Sequence, residues 1–247
     1  LLARHEDRLF FAGIIVIAAN AGGAWSPIGD VTTTMLWIDG QITALGIMKS
    51  VLLPSMVSLL VPLAITAYVL RGQQVASPSE AAGDTGVKST EFERNLMFFL
   101  GIGILVAVPV FKTLTHLPPF MGILFGLGIL WLVGDLVHRD KEDEFKHPLT
   151  LVHALSRIDM SSLVFFVGIL LAVATLEHAH ILGSLATWLN DTVGRQDVIV
   201  LIIGVVSAVV DNVPLVAAAM GMYSLTAYPA DHFLWHFLAY CAGTGGS

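Results

Sequence analysis

Two polar, glycine-rich stretches interrupt apolar segments of this chain that are otherwise suited to a membrane. The first is Asn20–Thr34, which lies between apolar Phe10–Ala19 and Met35–Ile38. The second is Asp211–Pro214, which lies between two further apolar runs. In hydrocarbon a backbone group without a hydrogen-bond partner is strongly unfavourable, so such breaks persist only where they line a cavity or a bound ion. They therefore predict an interior site.

The composition places the chain in the membrane. It is 55% hydrophobic and 13% charged, with a mean hydropathy of +0.80, whereas a soluble domain is about 25% charged. The apolar residues cluster in runs near the ~20 residues that cross hydrocarbon. We therefore expect a polytopic protein whose partner is the lipid bilayer, with no nucleic acid and no cofactor. The lone Cys241 excludes a disulfide framework within the chain.

Seven membrane-embedded elements are predicted, together with one interfacial arm at Ile181–Val193. Because the chain begins without Met and stops in a glycine run, we interpret it as an internal fragment. The two broken elements are Phe10–Ile38 and Val198–Tyr223, the four continuous spans are Val51–Leu70, Asn95–Phe111, Pro119–Val137 and Met160–Leu176, and the last element starts near Phe233 and breaks at Gly243.

Lysine and arginine predict the orientation of these elements, because cytoplasmic loops carry the excess of both. If the first element starts in the cytoplasm, nine of the 12 basic residues are cytoplasmic and three are external. The external residues are Lys49, Lys112 and Arg195; the cytoplasmic ones are Arg4, Arg8, Arg71, Lys88, Arg94, Arg139, Lys141, Lys146 and Arg157. The first and last elements then enter the membrane from opposite faces.

The first and last elements are similar in sequence where they enter the membrane. Ile17–Ser26 reads IAANAGGAWS and Leu238–Ser247 reads LAYCAGTGGS, so both are apolar half-helices that continue into Ala-Gly and then Ser. Similar half-helices that enter the membrane from opposite faces indicate an inverted-topology repeat. In secondary transporters this arrangement places the substrate site near the bilayer midplane.

Three segments resemble the NhaD-type sodium/proton antiporters of the ion-transporter superfamily. Asn20–Met35 (NAGGAWSPIGDVTTTM) resembles the broken helix of that family, and Ser207–Val216 (SAVVDNVPLV) resembles its re-entrant hairpin. Ala242–Ser247 (AGTGGS) is similar to the start of the second broken helix. The resemblance covers the whole chain.

The resemblance implies an all-α membrane protein, an inverted-repeat transporter with a re-entrant hairpin and broken helices. Residues 1–70 would then end the first repeat, residues 71–94 would form a cytoplasmic linker, and residues 95–247 would carry the second repeat through its hairpin to the start of the second broken helix. A homodimer is a further implication, since members of the superfamily form dimers. The membrane would be a bacterial inner membrane or a plastid envelope.

Asp30 is the first candidate ligand of an ion, because charged groups inside membranes are costly and usually functional. Hard cations such as Na⁺ prefer oxygen ligands. Around Asp30 the loop offers further oxygens from Asn20, Ser26, Thr32 and Thr33. The structural alternative is that Asp30 caps a helix over 31–38.

Asp211 and Asn212 are the second candidates, at the tip of a hairpin whose half-helices are too short to span the membrane. Ser207 lies one helical turn before them, and Pro214 suits the first turn of the returning helix. The structural alternative is an ordinary turn outside the membrane. The family match adds Gly243, Thr244 and Ser247 to the candidate ion ligands, with sodium expected at Asp30, Asp211 and Asn212.

The function expected from these residues is exchange of Na⁺, or Li⁺, for H⁺ across a membrane, with the proton and the sodium ion competing for two buried aspartates, Asp30 and Asp211. No enzymatic activity is expected. One alternative is an anion or arsenite carrier of the same superfamily, since glycine-rich loops and helix N-termini bind anions. A less favoured alternative is an intramembrane protease that uses the two aspartates.

Overall fold

The computed structural model describes residues 5–71, 90–139 and 150–245, and every helix and strand assigned within these ranges is an α-helix. Most of the predicted linker and Ser247 lie outside the described residues. In chain order the helices are α1 (His5–Ala24), α2 (Val31–Ile38), α3 (Ala44–Val69), α4 (Glu91–Thr115), α5 (Pro119–Val137), α6 (Leu151–Ser156), α7 (Met160–His178), α8 (Ile181–Val193), α9 (Gln196–Val206), α10 (Asn212–Met222) and α11 (Phe233–Gly245).

Four of the described helices, α3, α4, α5 and α7, are long and apolar enough to cross a membrane. Large apolar side chains such as Leu53, Phe99 and Leu171 are exposed along them, which suits contact with lipid. The helices α9 and α10 have 11 residues each, so each rises about 16 Å, roughly half of the hydrocarbon core. The predicted all-α membrane fold with broken helices and a re-entrant hairpin is confirmed.

The first break is shorter than the sequence predicts. Helix α1 continues through Asn20 and the two following glycines to Ala24, and α2 already begins at Val31, which leaves only residues 25–30 outside a helix. Glycine within a helix costs about 1 kcal/mol relative to alanine, and packing against α11 can offset that amount. Pro27 and Gly29 therefore lie at the true interruption.

The hairpin has its turn at residues 207–211. Helix α9 ends at Val206, α10 begins at Asn212, and Pro214 lies in the first turn of α10, as predicted. Proline is favourable there because the N–H groups of a helix's first turn have no intrahelical acceptor, so the N–H that proline lacks costs no hydrogen bond. Helix α11 extends through Gly243, the predicted break, to Gly245.

The chain forms two compact units. Within the described residues, one unit contains 5–71 and 164–245, where α11 packs against α1, α2, α3, α9 and α10. The other contains 90–139 and 150–163, where α4 packs on α5. The division into repeats at 70 and 95 rests on sequence order and stays a prediction.

Candidate ion-binding site

Four helix ends meet in the first unit, and α11 contacts each of these four helices. The carboxyl ends of α1 and α9 converge there with the amino ends of α2 and α10, beside the last described residues of α11. Carboxyl ends present carbonyl oxygens without intrahelical partners and carry the negative end of the helix dipole. The convergence is therefore rich in oxygen atoms.

The turn between α1 and α2 is held by backbone contacts. The Ser26 amide donates to the Gly23 carbonyl at 3.1 Å, the Gly29 amide donates to the Ser26 carbonyl at 3.3 Å, and Ser26 Oγ accepts from the Ile28 amide at 3.4 Å. A Cβ atom on Gly23 would lie 2.6 Å from the Gly29 carbonyl oxygen. Only glycine permits this close approach of the Gly23 and Gly29 backbones, so the turn holds Asp30 in one position.

Asp30 occupies the N-cap position of α2, with extended backbone angles of −136° and 151°. Within the described residues its carboxylate makes no capping hydrogen bond to a backbone amide. Instead, Oδ2 accepts a hydrogen bond of 2.5 Å from Thr32 Oγ1, and the Thr32 side chain is fully buried. The capping alternative thus describes the position of Asp30 and leaves its carboxylate oxygens available for a ligand.

The other two threonines of this turn donate hydrogen bonds to the backbone. Thr33 Oγ1 and Thr34 Oγ1 donate to the Asp30 carbonyl at 3.0 and 2.8 Å. Thr33 is fully buried, and its hydroxyl oxygen retains lone pairs that could accept or coordinate. The first turn of α2 is therefore polar and yet inside the protein.

The Asp30 carboxylate faces α11. A Cβ atom on Gly243 would lie 3.0 Å from Asp30 Oδ2 and 3.3 Å from the Ala24 side chain. The glycine thus leaves room for the carboxylate between α1 and α11. Thr244, the next residue, donates from Oγ1 to the Tyr240 carbonyl at 2.6 Å.

The hairpin contacts the same part of α11. Ser207 is buried, and its Oγ donates to the Gly204 carbonyl at 2.8 Å and lies 3.3 Å from the Ala242 carbonyl. The side-chain amide of Asn212 donates from Nδ2 to the same Ala242 oxygen at 3.5 Å. A Cβ atom on Gly245 would overlap the Gly204 carbonyl oxygen and Ser207 Oγ.

Asp211 differs from Asp30 in its surroundings. It is exposed, and its Oδ1 accepts from the Val213 amide at 3.2 Å, which caps α10. Asp30 is half-buried. One carboxylate therefore lies among packed helix ends, while the other is exposed. The prediction that both aspartates are buried is wrong for Asp211, because its side chain caps α10 at the exposed hairpin turn.

The structure brings together most of the predicted site residues. Asp30 and Gly243 are in contact, and Ser207 and Asn212 share the carbonyl of the adjacent Ala242. Asn20 lies one helical turn before Ala24. The Ala242 carbonyl is not predictable from the sequence, because every residue carries a backbone carbonyl and a side-chain pattern does not distinguish this one.

The donor set is one of carboxylate, amide, hydroxyl and carbonyl oxygens. Among the residues that the structure describes, no three His, Cys, Asp or Glu side chains come together as a metal site. Nitrogen and sulfur ligands suit transition metals, whereas oxygen ligands suit hard cations. The arrangement fits a small hard cation.

Fold and site together define a class: a multi-pass membrane protein with broken helices and a re-entrant hairpin, the architecture that secondary transporters use. The chain belongs to the citrate transporter family, whose family model matches residues 1–243. The predicted resemblance to NhaD-type antiporters is also confirmed by individual relatives.

The relatives carry antiporter names. The whole chain is 51% identical to "Sodium/proton antiporter 1" of Arabidopsis thaliana, covering 42% of that protein, and 46% identical to "Sodium/proton antiporter 2" of the same plant, covering 58% of it. Over 94% of its length it is 30% identical to the "Na(+)/H(+) antiporter NhaD" of Alkalimonas amylolytica, covering 50% of that protein. The chain thus spans about half the length of these relatives. No solved structure matches it.

Proposed function

We propose that this chain carries an ion site of a secondary active antiporter that exchanges Na⁺, or Li⁺, for H⁺. The carrying observation is the Asp30 carboxylate, which stands at an N-cap without capping and faces Gly243 where helix ends converge. A carboxylate in that setting has two natural occupants, a proton or a small cation.

Antiport follows from competition for the carboxylate. When a proton binds Asp30 the charge that attracts Na⁺ is removed, and Na⁺ binds again only after the proton leaves. Asp211 and Asn212 would complete the sodium site from the hairpin, with neutral oxygens from Asn20, Ser26, Thr32, Thr33, Ser207, Thr244 and Ser247. Movement of the broken-helix and hairpin unit against the other helices would expose the site to each face in turn.

The test is Na⁺-driven proton movement in proteoliposomes that contain the full-length protein. We expect Asp30→Asn to abolish exchange, because the amide cannot take up a proton or supply a negative charge. Asp39→Asn is the matched control: Asp39 ends the same helix, and its carboxylate is exposed and accepts from Gln41. Exchange by Asp30→Asn at the wild-type rate would remove Asp30 from the mechanism.

The family description names citrate, so anion transport is the alternative that the same proteoliposomes must address. Fixed negative charge at Asp30 and Asp211 repels an anion, which favours the cation proposal. Citrate or arsenite uptake without Na⁺-coupled proton movement would favour the anion carrier. We accordingly propose a transporter and no enzymatic activity.

We propose the plastid envelope as the membrane in preference to a bacterial inner membrane, because the relatives at 51% and 46% identity come from a plant. Immunolocalisation in the source cell tests this location. The homodimer stays a prediction, and cross-linking of the full-length protein in its membrane would test it.

A further inference from the structure

The loop before α11 is tied to the loop before α3 through one carboxylate. Asp231 Oδ1 accepts from the Thr43 amide at 2.8 Å, and Oδ2 accepts from Thr43 Oγ1 at 2.7 Å. The Asp231 amide in turn donates to the Gln41 carbonyl at 2.8 Å. Both loops were predicted to be external from the charge count, and here they lie side by side.

A histidine on α11 continues this polar cluster inward. His236 Nε2 lies 3.1 Å from Asp231 Oδ1, and the His236 side chain is buried. Its neighbour His232 is turned to other partners, because its Nδ1 accepts from the Leu234 amide and its ring contacts Tyr228. Only His236 of this pair therefore extends the cluster toward the membrane.

Behind the cluster lies a cavity of about 340 Å³ between α3 and α11, with polar lining from Asp231, His236, Ser50 and Tyr240. Pro54 also lines it and has no N–H to give to the Ser50 carbonyl one turn earlier, so that oxygen lacks its regular α-helical partner. Ser50 is itself exposed, so the polar groups of this wall can be reached by water.

Tyr240 also lines this cavity. Its hydroxyl is 2.7 Å from Ser58 Oγ on α3. Tyr240 also lines a second cavity of about 390 Å³, whose wall includes Gly204, Thr244 and Gly245, the residues where the hairpin packs on α11. Tyr240 is therefore common to both cavities, and the candidate site residue Thr244 lines the second.

We propose that the cavity between α3 and α11 is the external entrance through which water, Na⁺ and H⁺ approach the ion site, and that Tyr240, held by Ser58, closes its inner end. This inference rests on the proposed antiport for the identity of the ions that pass through the entrance. Asp231 and His236 form the mouth, and the Ser50 oxygens supply polar contacts along the wall. Release of the Tyr240–Ser58 hydrogen bond would join the two cavities.

The entrance is tested by its access to water, a property independent of transport. In the full-length protein, Ser50→Cys is treated from the external side with a membrane-impermeant cationic methanethiosulfonate, and modification is followed by mass spectrometry. The control is Leu52→Cys, about half a turn away on the same helix. Because the reaction needs a hydrated thiolate, we expect Ser50→Cys to react at least about tenfold faster. Equal, slow rates for the two cysteines would overturn the entrance.

The closing role of Tyr240 is tested on the native Cys241, which lines the second cavity. We expect Tyr240→Ala to increase its modification from outside by about tenfold, since the thiolate becomes reachable through water. Tyr68→Ala, at the exposed far end of α3, is the control and should leave the rate unchanged. An unchanged rate in Tyr240→Ala would overturn the closure.

The entrance and the antiport can fail separately. If Ser50→Cys is water-accessible but Asp30→Asn still exchanges ions, the entrance stands and the proposed function fails. If Asp30→Asn is inactive while modified Ser50→Cys exchanges at the unmodified rate, the antiport stands and this cavity is not its entrance.

Discussion

Gly243→Ala should weaken sodium binding while leaving the fold largely intact. The new methyl group would lie 3.0 Å from Asp30 Oδ2 and 3.3 Å from Ala24 Cβ. Since non-bonded contacts prefer about 3.5–4.0 Å, the carboxylate must withdraw by roughly half an ångström.

The cost can be estimated from the two opposing effects. Overpacking of this kind costs about 1–3 kcal/mol, while replacing a helical glycine by alanine returns about 1 kcal/mol. The free energy of unfolding should therefore fall by only about 0–2 kcal/mol. The displaced atom is the proposed ligand itself, so about 1–3 kcal/mol is lost from the bound state, a 5- to 150-fold weaker affinity.

The assay is the half-saturating Na⁺ concentration for exchange in proteoliposomes, measured beside thermal unfolding in detergent. Gly22→Ala is the matched control, because it lies on α1 and its new methyl group meets nothing within 4 Å in the described structure. If Gly243→Ala and Gly22→Ala require the same Na⁺ concentration, the Asp30 carboxylate at α11 is not an ion ligand.

Three further predictions address the neighbours of the site and the external loops. Thr32→Val removes the donor to the Asp30 carboxylate, so stability should fall by about 1.5–3 kcal/mol and the half-saturating Na⁺ concentration should change, whereas Thr34→Val should affect stability alone, as exchange and unfolding assays would show. Gly204→Ala should destabilise the protein by about 1–2 kcal/mol in thermal unfolding, because its Cβ would lie 2.7 Å from the Cys241 side chain and 2.9 Å from the Cys241 carbonyl oxygen; this is an overpacking cost near the upper end of about 1–3 kcal/mol, less the about 1 kcal/mol that replacing a helical glycine returns. An unchanged melting temperature would contradict this packing. Burial raises the pKa of Asp231, but its hydrogen bonds from Thr43 and His236 outweigh burial and hold the pKa below the usual 3.8. The stabilisation from the Asp231 carboxylate is therefore complete above that value and is lost as the pH falls below it. In Asp231→Asn the free energy of unfolding should consequently depend less on pH between about pH 2 and 5 than in the wild type.

Helices whose bounds coincide with a change from apolar to polar residues are predictable from this sequence. The arm Ile181–Val193 has the predicted bounds, and Pro119–Val137 is observed as predicted. The apolar pattern predicts the start of α3 too late, at Val51, because Lys49 and Ser50 end the apolar run. In the structure the helix begins at Ala44, where Thr43 Oγ1 accepts from the Gly46 amide.

The candidate site was predictable in its residue types and less so in its contacts. Asp30 and Asn212 are conspicuous because polar side chains are rare in apolar segments. The Ala242 carbonyl, which Ser207 and Asn212 share, depends on a long-range approach of helices that local patterns do not encode. The difference between half-buried Asp30 and exposed Asp211 likewise arises from packing.

The close approach of Gly23 and Gly29 also limits how this protein can move. Backbone atoms meet backbone atoms there, so no rotamer change can loosen the bend between α1 and α2. Asp30 is therefore fixed relative to both half-helices. We expect any movement of the ion site toward either face of the membrane to carry α1, the bend and α2 together as one rigid body.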